Sequence, residues 1–207
     1  MDARQYAPAT QRNREPILAV LSRVLPPQGN ILELASGTGE HSVFFAPFFA
    51  PRQWYPSDPN PFLRDSIEAW RNYHSIDNLH SPFDIDVCES KWQIEEQGIA
   101  VQAIVNINMI HISPWQACLG LMSGAGRILP MDGILYLYGP YKQKGEHTAE
   151  SNRSFDESLR RQNPEWGVRN LEDVARIAKS EGLELQEVVT MPANNLSVIF
   201  KKSQVKI

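Results

Sequence analysis

Apolar residues along this chain switch repeatedly between helical and strand spacing. From Arg14 to Leu25, Ile17, Leu18, Leu21, Val24 and Leu25 fall on one face of a helix. Pro26-Pro27-Gln28-Gly29 stops it. Ile31 to Leu34 reads as the first strand. A helix follows from about Gly39, and Pro47 kinks or ends it, because proline removes a backbone donor and clashes one turn back. Gln53 to Tyr55 is a short second strand ending at Ser57-Asp58. Asn60 caps a helix over Pro61 to Tyr73, with Pro61 at its first position. Phe83 to Val87 forms a third strand, and the nearly unbroken apolar run Ala100 to Asn106 a central strand buried on both faces. Pro114 opens a helix through about Leu129, and Gly133 to Tyr138 is a fifth strand.

The pattern then lapses. Residues 139–167 make a polar insertion with one helix, Ser154 to Gln162. Leu171 to Ser180 is helical, lined by Leu171, Val174, Ala175 and Ala178, and Gly182 ends it. Leu185 to Thr190 and Leu196 to Lys201 are joined by Pro192-Ala193-Asn194-Asn195, short enough to make them antiparallel neighbours. Alternating strands and helices predict an α/β fold: a seven-stranded, mostly parallel sheet with helices on both faces and a C-terminal antiparallel hairpin. At 207 residues this is one domain over 1–207, with residues 1–25 as an N-terminal helix and lid.

Composition narrows the function. A net charge of −4 argues against broad binding to nucleic acid or anionic lipid. Two cysteines, Cys88 and Cys118, make no disulfide framework, and the N-terminus lacks a signal-peptide core; both point to the cytoplasm. The longest apolar run, Val43 to Ala50, is too short for a membrane span. His74, His80, Asp84, Asp86 and Cys88 fit no common zinc spacing, so no metal is expected.

The chemistry concentrates in Ile31-Leu32-Glu33-Leu34-Ala35-Ser36-Gly37-Thr38-Gly39-Glu40-His41-Ser42. A strand, a glycine turn and a helix start let the backbone approach a small ligand and aim free N–H groups at it. A dinucleotide is disfavoured: Ser42 stands where the fingerprint needs a third glycine, and Glu40 sets negative charge against a pyrophosphate. Asp58 lies at the end of the second strand, the distance beyond the turn at which nucleotide-binding α/β folds place an acid for a ribose.

The acid at the strand end followed by small-small-Gly-x-Gly resembles the first motif of the class I S-adenosylmethionine-dependent methyltransferases, whose fold is Rossmann-like. Asn13-Arg14-Glu15-Pro16-Ile17-Leu18, Asn106 through Trp115, Gly139-Pro140-Tyr141-Lys142 and the stretch from Ser151 to Arg160 sharpen this. Together they resemble one widespread methyltransferase-like family of about this length, known as a domain of unknown function, from about Tyr6 to Lys202. The resemblance implies S-adenosylmethionine as cofactor. It places Ala35, Ser36, Gly37 and Gly39 at the methionine part, with Ala35 departing from the usual glycine. Glu33 would hold the ammonium, directly or through water, Asp58 the ribose diol, Asp86 and Val87 the adenine edge, and Asn106 the neighbourhood of the sulfonium.

The acceptor is expected over the carboxyl ends of the fourth and fifth strands. That nominates His111 and Tyr141 as catalytic candidates, Tyr138 and Lys142 as acceptor contacts, and Tyr6, Asn13 and Arg14 as a lid. The insertion at 139–167 lies near this site. Methyl transfer relies largely on holding the nucleophile in line, so no catalytic dyad need appear. The expected activity is transfer of a methyl group to a small-molecule acceptor. The alternative is a catalytically silent S-adenosylmethionine-binding or regulatory protein of the same fold. The chain is expected to act as a monomer or a homodimer.

Overall fold

The computed structural model describes residues 2–203; the outer ends of the expected single domain, residue 1 and residues 204–207, lie outside the described residues. In chain order the elements begin with α1 (Pro8–Val24), β1 (Asn30–Leu34), α2 (Glu40–Phe45), β2 (Trp54–Pro56), α3 (Pro61–His74) and α4 (Gln93–Glu96). Next come β3 (Val101–Ile107), α5 (Trp115–Ile128), β4 (Ile134–Gly139), β5 (Tyr141–Gln143) and β6 (Glu146–His147). The last are α6 (Glu150–Gln162), β7 (Arg169–Asn170), α7 (Leu171–Ser180), β8 (Leu183–Met191) and β9 (Asn195–Lys202).

The main sheet has six strands in the order β2-β1-β3-β4-β9-β8. The first four are parallel, and β9 runs antiparallel to both β4 and β8. Period-two alternation builds its two faces. Leu135 and Leu137 of β4 join Leu32, Leu34, Ile104, Val198 and Phe200 on the side covered by α5 and α7. Tyr136 and Tyr138 join Ile31, Ala103, Val105 and Ile199 on the other, against Ile17 and Leu21 of α1 and Phe45 of α2. Consecutive residues therefore serve opposite cores.

The sheet departs from the expected seven strands. Residues 83–87 do not form a strand: that edge carries only the single bridges Trp54 to Leu79 and Ser57 to Phe83. Beyond Phe83, whose N–H still donates to the Pro56 carbonyl, the Asp84 N–H turns to the Gln93 side chain at 2.8 Å, so the ladder stops. The insertion holds more than a helix. Its α6 begins at Glu150, and its β5 and β6 join β7, just beyond it, in a separate three-stranded sheet. Helix α1 begins at Pro8, well before Arg14, and Pro47 closes α2 into a short 3-10 turn.

Candidate active site

The order of the sheet reverses at β1, whose neighbours β2 and β3 lead outward in opposite directions, and such a switch point opens a crevice at the carboxyl ends of the strands. The glycine turn fills the gap between β1 and α2 with left-handed backbone: φ is 53° at Ala35, 57° at Gly37 and 89° at Gly39. Ser36 zips it to the end of β2, its N–H donating to the Ser57 carbonyl at 2.8 Å and its hydroxyl accepting from the Ser57 N–H at 3.1 Å. The Gly37 N–H donates to Asp58 Oδ2 at 3.0 Å, and the Asn60 N–H to Oδ1 at 2.9 Å. Asp58 and the turn therefore meet. Burial pushes the Asp58 carboxyl above its usual range, against those two bonds and Arg64. The two glycines differ. A Cβ on Gly39 would lie 2.8 Å from Ile67 Cα, so α3 packs against the bare backbone, whereas nothing lies within 4 Å of a Cβ on Gly37.

Other residues expected at the cofactor also make contacts within the protein. Glu33 is 1% exposed and accepts from Ser42 Oγ at 2.6 Å and Trp54 Nε1 at 2.8 Å. It fastens β1 to α2 and β2 from inside. Burial drives its carboxyl up to about 7. Asn106 is also spent internally: its amide donates to the Leu34 carbonyl at 2.9 Å, bridging β3 to β1 across the switch point. Asp86 is exposed in a loop and accepts from the Cys88 N–H at 2.9 Å. The Val87 side chain packs in the core, and its carbonyl accepts from Trp92 Nε1.

Over the carboxyl ends of β3 and β4 lies a cavity of about 840 Å³. Asn13 of α1, His111, Tyr138 and Phe155 of α6 line it, with the corner between β8 and β9 closing one side. His111 is 3% exposed, meets Phe155 edge-on with ring centroids 5.7 Å apart, and leaves Nδ1 without a partner among the described residues. Burial, and secondarily the Arg169 charge, lower His111 to about 4, so the imidazole is neutral. A Cβ on Gly139 would sit 3.0 Å from its Nδ1, so bare backbone makes room for the ring. Asn13 Oδ1 pairs with His41 Nε2 at 2.8 Å, linking α1 to the helix that leaves the glycine turn.

Four further residues named from the sequence do not line this cavity. Tyr141 is 1% exposed in the opposite core with Cys118, and its hydroxyl has no partner among the described residues; it does not line the cavity. Lys142 is held by Asp156 at 2.9 Å, in a cluster with His147 and Arg160. Arg14 stacks over Phe44 at 4.6 Å and faces α2, not the cavity. Tyr6 packs edge-on against Trp70 of α3 at 5.0 Å and is largely exposed; its strand of chain crosses α3 through the Gln5 N–H to Ser66 Oγ and reaches Glu40 through the Ala7 N–H. Sequence reasoning missed Arg12, Asn108, Asn152, Phe155 and the Asn194-Asn195 corner, all on the cavity wall. Asn108 was legible, two residues from Asn106 on the same strand end. The corner was not, because only tertiary folding carries it there. Among the described residues no three His, Cys, Asp or Glu gather as a metal cage, and no helix is long and apolar enough to cross a membrane.

Solved methyltransferases share this fold. An O-methyltransferase family protein from Burkholderia thailandensis matches with a TM-score of 0.78 at 14% identity, over 95% of this chain and 58% of that one. Human N-acetylserotonin methyltransferase, in complex with S-adenosylmethionine, matches with 0.74 at 12%, over 95% and 53%. An O-methyltransferase family 2 protein from Planctomyces limnophilus, in complex with apigenin, matches with 0.72 at 14%, over 93% and 62%. The chain spans little more than half the length of these structures, and at such identities the likeness carries the fold alone. From residue 4 to residue 202 the chain matches the family described as protein of unknown function (DUF938), and it belongs to that family.

Proposed function

We propose that this protein is an S-adenosylmethionine-dependent methyltransferase whose acceptor is a small molecule offering a hydroxyl oxygen. The observation that carries the reading is the meeting of the Gly37 N–H and the Asp58 carboxylate at the crevice where the sheet order reverses. The donor set suits the cofactor. A buried carboxylate accepts from a ribose diol in charge-assisted bonds, and each of its oxygens keeps capacity beyond the one backbone N–H it accepts. The open space over Gly37 leaves room for the amino-acid tail. When bound, the cofactor supplies an electrophilic methyl group on a sulfonium.

The chain's own residues do the rest. The cavity wall excludes water and holds the acceptor, which accounts for much of the barrier reduction available to an in-line transfer. The neutral His111 imidazole can take a hydroxyl proton. Its low pKa weakens it as a base, and that observation favours the second reading, a fold that binds the cofactor without turnover. The O-methyltransferases of the same fold support a hydroxyl acceptor.

Isothermal titration with S-adenosylhomocysteine tests the reading. The wild type should bind it, and Asp58→Ala should weaken binding by tenfold or more. No heat from the wild type rejects the proposal. Binding without methyl transfer to any metabolite in a broad panel selects the silent reading.

A further inference from the structure

One sign of charge is missing from the cavity wall. The chain carries 24 acidic side chains against 20 basic, yet among the described residues lining this cavity there is no aspartate or glutamate. The single charged side chain is Arg12 of α1, exposed and in no ion pair with a described residue. The polar wall is instead built from uncharged carboxamides, Asn13, Asn108, Asn152, Asn194 and Asn195. None carries net charge, and several already use one end within the wall: Asn13 Oδ1 with His41, Asn152 Nδ2 with the Asn194 carbonyl, and Asn194 Nδ2 with Ser151 Oγ. Asn108 is aimed by a left-handed backbone, φ 63°, and its side chain makes no hydrogen bond to a described residue. A cation entering this space would lose water and find no counterion, whereas an anion meets a planar guanidinium that matches a carboxylate in bidentate fashion.

Most of the rest of the wall is apolar or aromatic. Phe155 presents a ring already in edge-to-face contact with His111, and such plates favour another ring. The volume of about 840 Å³ lies within the range of small-ligand sites. We propose that the acceptor is an anionic hydroxyaromatic compound, an arene bearing both a carboxylate and a hydroxyl. Arg12 holds the carboxylate, Phe155 the ring, and His111 accepts the hydrogen bond of the hydroxyl. The inference rests on the methyl-transfer reading for the word acceptor, while the preference for an anion rests on the wall itself.

Titration of the full chain with the three hydroxybenzoate isomers, 4-hydroxybenzamide and tyramine tests it, with S-adenosylhomocysteine titrated separately. At least one hydroxybenzoate should bind tenfold or more tightly than both the neutral amide and the cationic amine. Arg12→Gln, an exposed change, should abolish that preference and leave amide binding unaltered. Equal affinity for tyramine, an unchanged hydroxybenzoate affinity in Arg12→Gln, or no binding by any isomer overturns the proposal. S-adenosylhomocysteine binding with no hydroxybenzoate binding sinks the anionic acceptor alone. Hydroxybenzoate binding without S-adenosylhomocysteine binding sinks the methyl-transfer reading, and with it the naming of the anion as acceptor.

Discussion

Glu33 carries the clearest single-residue consequence. Its carboxyl is buried and rises from 4.5 to about 7, so the folded protein holds a proton that the unfolded chain has released between those values. Stability from this group is present below about pH 4.5 and is lost as pH rises toward 7, a change of about 3 kcal/mol. Two histidines act in the opposite sense. Burial lowers His41 to about 3 and His111 to about 4, so their contribution is present above 6.5 and is lost as pH falls. Between about pH 4.5 and 6.5 the two effects oppose each other, and the wild type should show a muted profile. Replacing Glu33 with Gln removes one side of the balance. Measured by urea unfolding, the stability of Glu33→Gln should climb more steeply with pH across this window than that of the wild type. Parallel profiles would show that Glu33 carries no extra proton in the folded state. Ala35 holds another local strain: its φ of 53° is one that glycine adopts freely. Ala35→Gly should therefore raise stability by up to about 1 kcal/mol in thermal unfolding. A drop would mean that the lost methyl packing or the added chain entropy outweighs the relief.

At the scale of elements, the turn between β1 and α2 separates two roles that the Gly37-Thr38-Gly39 triplet does not distinguish. Gly39 is needed for packing, since a Cβ there would meet Ile67 of α3 with φ at +89°. Gly39→Ala should cost about 2 kcal/mol or more in unfolding free energy. A Cβ on Gly37 meets open space, so Gly37→Ala should cost about 1 kcal/mol of backbone strain and instead weaken S-adenosylhomocysteine binding. Equal losses of stability in the two variants would erase the distinction. The same contrast explains what could be read from sequence. Periodicity places β1, β2, β3, β4 and the terminal hairpin because each is a short apolar run between turn residues. It fails at 83–87, where alternation is present but the backbone donor of Asp84 is captured by Gln93, a partner that no local pattern reveals. It fails again at Tyr141. Tyr138 lies one residue before the end of β4 on the cavity side, but the chain then bends at Pro140 into a separate sheet and carries Tyr141 to the opposite core. Strand alternation cannot be counted across such a bend.

For the whole molecule, the candidate site divides into a part written locally and a part assembled from distance. The turn and Asp58 lie 21 residues apart across one βαβ step, and their meeting follows from the motif. The cavity needs α1, the ends of β3 and β4, α6 and the β8–β9 corner at once, tied by contacts such as Asn152 Nδ2 to the Asn194 carbonyl at 2.9 Å and Asn194 Nδ2 to Ser151 Oγ at 3.0 Å. A ligand seated at the turn should steady the folded state as a unit, because it binds the native arrangement and not the open chain. At a concentration one hundred times its dissociation constant it adds about 2.7 kcal/mol. For a chain of this size each kcal/mol moves the unfolding midpoint by about 2–4 °C, so S-adenosylhomocysteine should raise the wild-type midpoint by about 5–10 °C. Asp58→Ala at the same ligand concentration should show a shift smaller by about 3 °C or more, because a tenfold loss of affinity removes about 1.4 kcal/mol. An equal shift in both proteins would mean that the ligand sits somewhere other than the meeting point of Gly37 and Asp58, and the assignment of that crevice to the cofactor would fall.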